Sequence, residues 1–200
     1  MNKYLRIFGI SQGIVVMALV LAVPIALAQK QLKSQKNFRV VTEGTFFRSG
    51  QMTLPGLHRM VHENGIRTVV TLRDSYNAGE PSPDQAEENW CKTQEIQYLR
   101  LTPMEWEPIK TGQEPPVTAN IRKYLAVLNK PESYPVLVHC FAGIHRTGAY
   151  TAIYRMEKEG WPLDRAMEEM RLLGYDRIEE EKDILGFLKA YKPGALSPKK

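Results

Sequence analysis

The chain has 200 residues, 43% of them apolar and 24% charged, and its 27 lysines and arginines outnumber 22 aspartates and glutamates to give a net charge of +5. That composition supports one domain with a real core and excludes a disordered polyelectrolyte. Mild basicity suits an anionic substrate, but the cations are interspersed with acidic residues and no nucleic-acid motif occurs, so nucleic acid is not expected as a partner.

After Lys3 and Arg6 no charge appears from Ile7 to Ala28, and the run ends in Ala26-Leu27-Ala28, the small-x-small pattern at which signal peptides are cut. It is also long enough to cross a bilayer as a helix. Residues 1–28 are therefore expected to be a signal peptide or a membrane anchor, which makes the protein exported (periplasmic or extracellular) or membrane-anchored. Basic residues on both flanks leave the topology open. Residues 29–36 read as a polar linker, 37–192 as the folded domain and 193–200 as a tail.

Phe38 to Val41 and Thr45 to Arg48 read as short strands around the turn at Glu43-Gly44. Leu54 to Glu63 has helical spacing and Asn64-Gly65 ends it. Ile66 to Leu72 reads as a buried strand. Ser82-Pro83-Asp84-Gln85 carries an N-cap serine, a proline at the first helical position and a glutamine three residues after the cap, and predicts a helix to about Glu95. Ile96 to Leu101 is the next strand, followed by a proline-rich loop, Thr102 to Pro116. Ile121, Tyr124, Leu125 and Leu128 mark an amphipathic helix. Val136 to His139 is an apolar central strand, and helices are expected over Thr147 to Glu159, closed by Gly160, then Asp164 to Leu173 and Ile184 to Tyr191. Strands alternating with helices imply an α/β fold: a central parallel or mixed sheet of four to five strands flanked by helices, with a site at the carboxyl ends of the strands. A hydrophobic helix precedes it at the N-terminus.

The residues that carry chemistry follow the central strand: His139-Cys140-Phe141-Ala142-Gly143-Ile144-His145-Arg146-Thr147-Gly148. A loop between a buried strand and a helix can turn its N–H groups toward one point and form, with the helix N-terminus, a cradle for phosphate. Cys140 at the mouth of that cradle should have a depressed pKa, and its thiolate would be the nucleophile. Arg146 supplies a planar fork for two phosphate oxygens. Gly143 gives backbone freedom where the main chain must approach the ligand. Thr147 can place its hydroxyl near the sulfur, and His139 can brace the loop from behind.

This string resembles the signature of the cysteine-based protein tyrosine and dual-specificity phosphatases, and Asn37 to Gln51, Ile66 to Asp74 and Ile121 to Cys140 are similar to the compact atypical dual-specificity phosphatases of plants, fungi and bacteria. The resemblance spans about Asn37 to Tyr191. It implies a protein tyrosine phosphatase-like fold and a hydrolase of phosphoric monoesters that works through a phosphocysteine intermediate, with no metal and no cofactor. Its partner would be a phosphorylated protein or a small phosphomonoester, and a membrane through the N-terminal segment.

The family supplies an aspartate about thirty residues before the cysteine to protonate the leaving oxygen, and the loop Thr102 to Pro116 has none. Glu107 lies near that spacing, where Trp106 could shield it and raise its pKa. Glu105 and Asp74 are the alternatives. The substrate would meet Phe141, Ala142, Gly143, Ile144, His145 and Arg146. Three of the four variable side chains (Phe141, Ala142, Ile144, His145) are apolar, whereas relatives that act on inositol pyrophosphates look basic there. One phosphoryl group on an aromatic carrier, phosphotyrosine above all, is therefore expected. An inositol phosphate or phospholipid, a weak phosphate-binding module and a sulfurtransferase-type thiol enzyme are the rivals. His58 and His62 lack a third metal ligand. Cys91 reads as a core thiol or a redox partner of Cys140, and Arg48 as a strand-end cation or a neighbour of the site.

Overall fold

The computed structural model describes residues 16–27, 29, 34–75, 77 and 79–197. In chain order the packed elements are β1 (Arg39–Thr42), β2 (Phe46–Ser49), α1 (Leu54–Asn64), β3 (Thr68–Thr71), α2 (Gln85–Thr93) and β4 (Gln97–Arg100). They continue with α3 (Val117–Leu128), a 3-10 turn (Pro131–Ser133), β5 (Val136–His139), α4 (His145–Glu159), α5 (Leu163–Leu172) and α6 (Lys182–Ala190). The strands form one five-stranded mixed sheet in the order β1-β2-β5-β3-β4. Only the β1–β2 hairpin is antiparallel; β2, β3 and β4 join their neighbours in parallel.

Beta-branched and aromatic residues in short runs make these strands, and the inner three are buried on both faces, as parallel strands under helices must be. Alternate residues feed two cores. Phe46, Val70, Val136 and Val138 pack with α3, α4, α5 and α6, while Phe47, Val69 and Leu137 pack with α1 and α2. By the same alternation His139 belongs to the α2 face and Arg48 to the α4 face. The register places Ser49, His139 and Thr71 in one row, so the loops that leave β2, β5 and β3 converge at one edge of the sheet.

Thr53 caps α1 by accepting the Gly56 N–H, and Gly65 closes it in the left-handed conformation at φ 60°. Gly160 closes α4 in the same way. The cap expected at Ser82 is not used. Its hydroxyl bonds Asp74 instead, and α2 begins at Gln85 after Asp84, whose carboxylate is drawn into a buried ion pair with Arg100 and a hydrogen bond from Thr71. A charge-assisted bond in the interior outweighs a neutral cap at the surface.

The chain docks onto the domain from Ser34, whose carbonyl lies over Gly56, and the carbonyl of Lys36 accepts the Gly50 N–H at 2.8 Å. The packed unit thus takes in the end of the stretch read as a linker. Residues 16–27 are helical and exposed. Among the described residues no helix is long and apolar enough to cross a membrane, and the uncharged run from Ile7 lies partly outside them.

Candidate active site

Cys140 is the first residue beyond β5 and, 5% exposed, lines a cleft of about 580 Å³. Phe141, Ala142, His145, Arg146, Arg73 and Asp74 are among its walls. Three successive carbonyls of the loop are held from outside by other segments. Phe141 O accepts the Gln51 N–H at 3.0 Å, Ala142 O accepts Asn37 Nδ2 at 2.8 Å, and Gly143 O accepts Arg48 Nη2 at 2.8 Å. With its oxygens drawn outward the loop has its amides left for the centre, and the Gly143 N–H reaches Cys140 Sγ at 3.2 Å.

Gly143 has a φ of 77°, and a Cβ there would lie 2.3 Å from the Gly50 nitrogen, so no other residue fits without moving backbone. Gly50 mirrors it: a Cβ at that position would lie 2.8 Å from Ala142 O. The glycine of the loop and the glycine after β2 are one close contact.

Burial alone would push the Cys140 thiol up. The Thr147 hydroxyl, the Thr147 and Gly143 amides and the charge of His139 overcome it, and the thiol ends below its ordinary value of 9.0. Thr147, the third residue of α4, has its hydroxyl 3.5 Å from the Ser49 carbonyl at the end of β2. Arg146, in the first turn of α4, lines the cleft and anchors Nη1 on the Leu72 carbonyl at 3.0 Å. His139 is fully buried and meets Glu87 through Nε2 at 2.6 Å, while Nδ1 has no hydrogen-bond partner among the described residues. Arg48 lies beneath the loop, pushed down by burial to about 10 and so still charged at neutral pH.

The candidate acids separate. Glu107 does not reach the Cys140 cleft: Trp106 turns inward to pack edge-on against Tyr150 and Phe187, and Glu107 lines a different cavity, of about 750 Å³, between its loop and α6. Glu105 is exposed, and its carbonyl receives the Val117 N–H. Asp74 does line the cleft. Hydrogen bonds from Ser82 and Thr102 hold its carboxyl below the ordinary aspartate value against a smaller opposing effect of burial. Glu80, which spacing did not single out, lines the same cleft; its only signal was a place on the glycine- and proline-rich stretch after β3.

At the mouth Phe141 is 62% exposed, with Lys36 Nζ 3.6 Å from its ring centroid. Ile144 is half-buried against Gly174, and the exposed His145 ring tilts over Tyr175 at 4.6 Å. His58 stacks on Trp90 at 3.9 Å and His62 meets the same indole edge-on. Cys91 is buried in the α2-side core, its thiol pushed up to about 12 chiefly by burial, and it does not line the cleft.

A family model described as a DSP-PTPase phosphatase fused to NAD+ kinase matches residues 23–184. The chain belongs to this phosphatase family. Consistent with that, it is 31% identical over 139 residues to OCA1 of Mycosarcoma maydis, covering 68% of this chain and 78% of the other. A shorter match, 36% over 55 residues and 28% of this chain, joins it to the dual specificity protein phosphatase TpbA of Pseudomonas aeruginosa, of which it covers 25%. The crystal structure of TpbA from P. aeruginosa shares the fold at TM-score 0.58 and 23% identity, covering 80% of this chain and 88% of that one. The catalytic domain of Siw14 from S. cerevisiae shares it at TM-score 0.60 and 18% identity, covering 81% and 89%.

Proposed function

We propose that this phosphatase-family chain hydrolyses phosphomonoesters through a covalent cysteine intermediate. The observation that carries the reading is that Cys140 and Arg146 line one cleft, with the Cys140 sulfur receiving the Gly143 N–H and its thiol pKa depressed. The thiolate attacks phosphorus in line; an S–P bond forms as the P–O bond to the leaving alcohol breaks. Loop amides and the Arg146 fork hold the equatorial oxygens, where charge spreads in the transition state. An acid protonates the departing oxygen. Water then attacks phosphorus, the S–P bond breaks, and inorganic phosphate leaves with the thiolate restored.

Asp74 is the acid we assign, since it is the one carboxylate of the three raised by the sequence that lines the cleft. Hydrogen bonds hold its carboxyl below the ordinary aspartate value in the free enzyme, and a bound phosphate dianion would raise its affinity for a proton. Glu80 is the alternative in the same wall.

The substrate class we assign is phosphotyrosine. Phe141 offers an exposed aromatic face at the mouth, Ala142 is small, and Asp74 and Glu80 in the wall oppose a polyanion. Among structures of the same fold, TpbA has been solved in complex with pTyr, whereas Siw14 is described as a PP-IP phosphatase. The N-terminal segment we read as the attachment to, or route across, a membrane.

The test is hydrolysis by the purified protein of a phosphotyrosine peptide, an inositol pyrophosphate and nitrophenyl phosphate. Turnover should persist with a chelator, stop with vanadate and vanish in Cys140→Ser. A requirement for added metal would overturn the mechanism; preference for the pyrophosphate would overturn the substrate class alone.

A further inference from the structure

Behind Cys140, on the α2 side of the sheet, lies a buried polar cluster that the catalytic cycle above leaves unused. Glu87 on α2 is 4% exposed and its carboxylate is filled by donors: Oε1 meets His139 Nε2 at 2.6 Å and the Tyr98 hydroxyl at 3.0 Å, and Oε2 accepts Gln51 Nε2 at 2.9 Å. Asp84, at the start of the same helix, accepts the Thr71 hydroxyl and pairs with Arg100, whose other terminal nitrogen pairs with Glu88 at 2.8 Å.

Asp84, Glu87 and His139 offer three ligand atoms within 4.8 Å of one another, the only such group found among the described residues. Their arrangement is that of ion pairs. Arg100 already supplies a cation to Asp84, and the Glu87 oxygens already face hydrogen-bond donors. What remains is the charge on Glu87. A buried carboxylate is tolerated only when a positive partner and hydrogen bonds offset its desolvation. Arg100 is spent on Asp84 and Glu88. Tyr98 and Gln51 are neutral donors, and of the contacts of the Glu87 carboxylate His139 is the one that can carry a positive charge.

We propose that Glu87 is a positioning residue for the thiol: it holds His139, the chain neighbour of Cys140, as an imidazolium, and that fixed positive charge keeps the sulfur ionised. The inference rests on Cys140 being the nucleophile. The groups facing the pair are Asp84 from α2, Tyr98 and Arg100 from β4, Gln51 from the loop after β2, and Cys140 itself. Of these, Asp84 and the thiolate favour the proton on His139, and Arg100 opposes it. The balance of shifts agrees. Burial by itself would push His139 down, yet the charge and hydrogen bond of Glu87 carry it above its ordinary value; the charge of His139 in turn is among the causes that lower Cys140.

The same carboxylate is tied to the loop through Gln51. That one residue donates its side-chain amide to Glu87, donates its backbone N–H to Phe141 O, and accepts Arg73 Nη1 at 2.7 Å from the cleft wall. Charge and loop shape are therefore fixed from a single helix that contributes no residue of the signature.

The test reads the thiol itself, in the full-length protein without substrate. The rate of iodoacetamide alkylation of Cys140 is followed against pH; Cys91, buried and with its thiol pushed up to about 12, stays silent. In Glu87→Gln, which keeps a hydrogen-bonding group but loses the charge, the Cys140 pKa should rise by about one unit. Alkylation on the acid side of the titration then slows about tenfold, and the acid limb of kcat/KM moves upward with it. In a His139→Gln background, Glu87→Gln should add nothing further. The 15N spectrum of His139 in the wild-type protein serves where a variant does not fold: both ring nitrogens should be protonated at pH 7. A wild-type thiol with an ordinary pKa would overturn the nucleophile reading. A depressed wild-type pKa that Glu87→Gln leaves in place, or a neutral His139 at pH 7, would overturn the role of Glu87 alone.

Discussion

In the loop Cys140 to Arg146 three successive backbone carbonyls are each gripped by a donor from a distant segment, whereas at Asp74 it is the carboxylate itself that is held, by the hydroxyls of Ser82 and of Thr102 on the next loop. Asn37, Arg48 and Gln51 hold the first. Asp74 is held by the Ser75 amide, by Ser82 and, from 28 residues further along, by Thr102. The phosphate half of the site is thus fixed in shape through its backbone, while the acid half is fixed through one side chain and its hydroxyl donors. An anion cradle needs many N–H groups aimed at one point; a proton donor needs one carboxyl within reach.

The sharpest way to break this contrast is Gly143→Ala. The added Cβ meets backbone at Gly50, and the φ of 77° is strained for alanine, so activity should fall by more than about a hundredfold, with about 1–3 kcal/mol of destabilisation. Retained turnover would show that the cradle is not rigid. Arg146→Lys comes next: an ammonium cannot reproduce the guanidinium fork, and kcat should drop on the order of a hundredfold. A variant within a few-fold of wild type would remove Arg146 from the transition state.

The acid half is sharpened by leaving-group dependence. Asp74→Asn should slow tyrosyl phosphate by about tenfold or more and nitrophenyl phosphate far less, because nitrophenolate leaves without help. The alkaline limb of the pH profile should flatten in the same variant, while the acid limb, set by a thiol already below 9.0, stays in place. Glu107→Gln should have little effect on either substrate, since its side chain lines another cavity; if it reproduces the Asp74 pattern, the assignment fails. Glu80→Gln belongs in the same comparison. The smallest effect is expected from Asn37→Ala, which frees one exposed loop carbonyl: about 1 kcal/mol of stability at most and a few-fold in kcat/KM, read by thermal unfolding and steady-state kinetics.

Much of this architecture was legible in the chain. Apolar, β-branched runs such as Val136 to Val138 and Val69-Val70, bounded by turn residues, read as buried strands, and Gly65 and Gly160 close their helices as left-handed caps usually do. The loop was readable because its geometry leaves few residue choices. Glu107 was read by distance along the chain, and distance misleads here because Trp106 is drawn into the aromatic contacts with Tyr150 and Phe187. Glu87 was missed because the run Gln85-Ala86-Glu87-Glu88-Asn89 looks like a solvated helix. One signal did exist: Glu87 stands one helical turn before Cys91, and both are the buried residues of α2. Ser82 looked like a cap because nothing in its own neighbourhood announces that Asp74 will compete for its hydroxyl.

The docking of Ser34 and Lys36 against Gly56 and Gly50 also sets a distance. Residues 27 and 34 are separated by seven peptide units, which fully extended reach about 25 Å. Asn37, next along, holds the rim of the active-site loop. Catalysis is therefore on a short leash: any object that holds the exposed helical stretch 16–27 also keeps the mouth of the cleft within a few nanometres of itself, and the local concentration of phosphorylated groups on that object, not only their affinity, governs how often the site is filled.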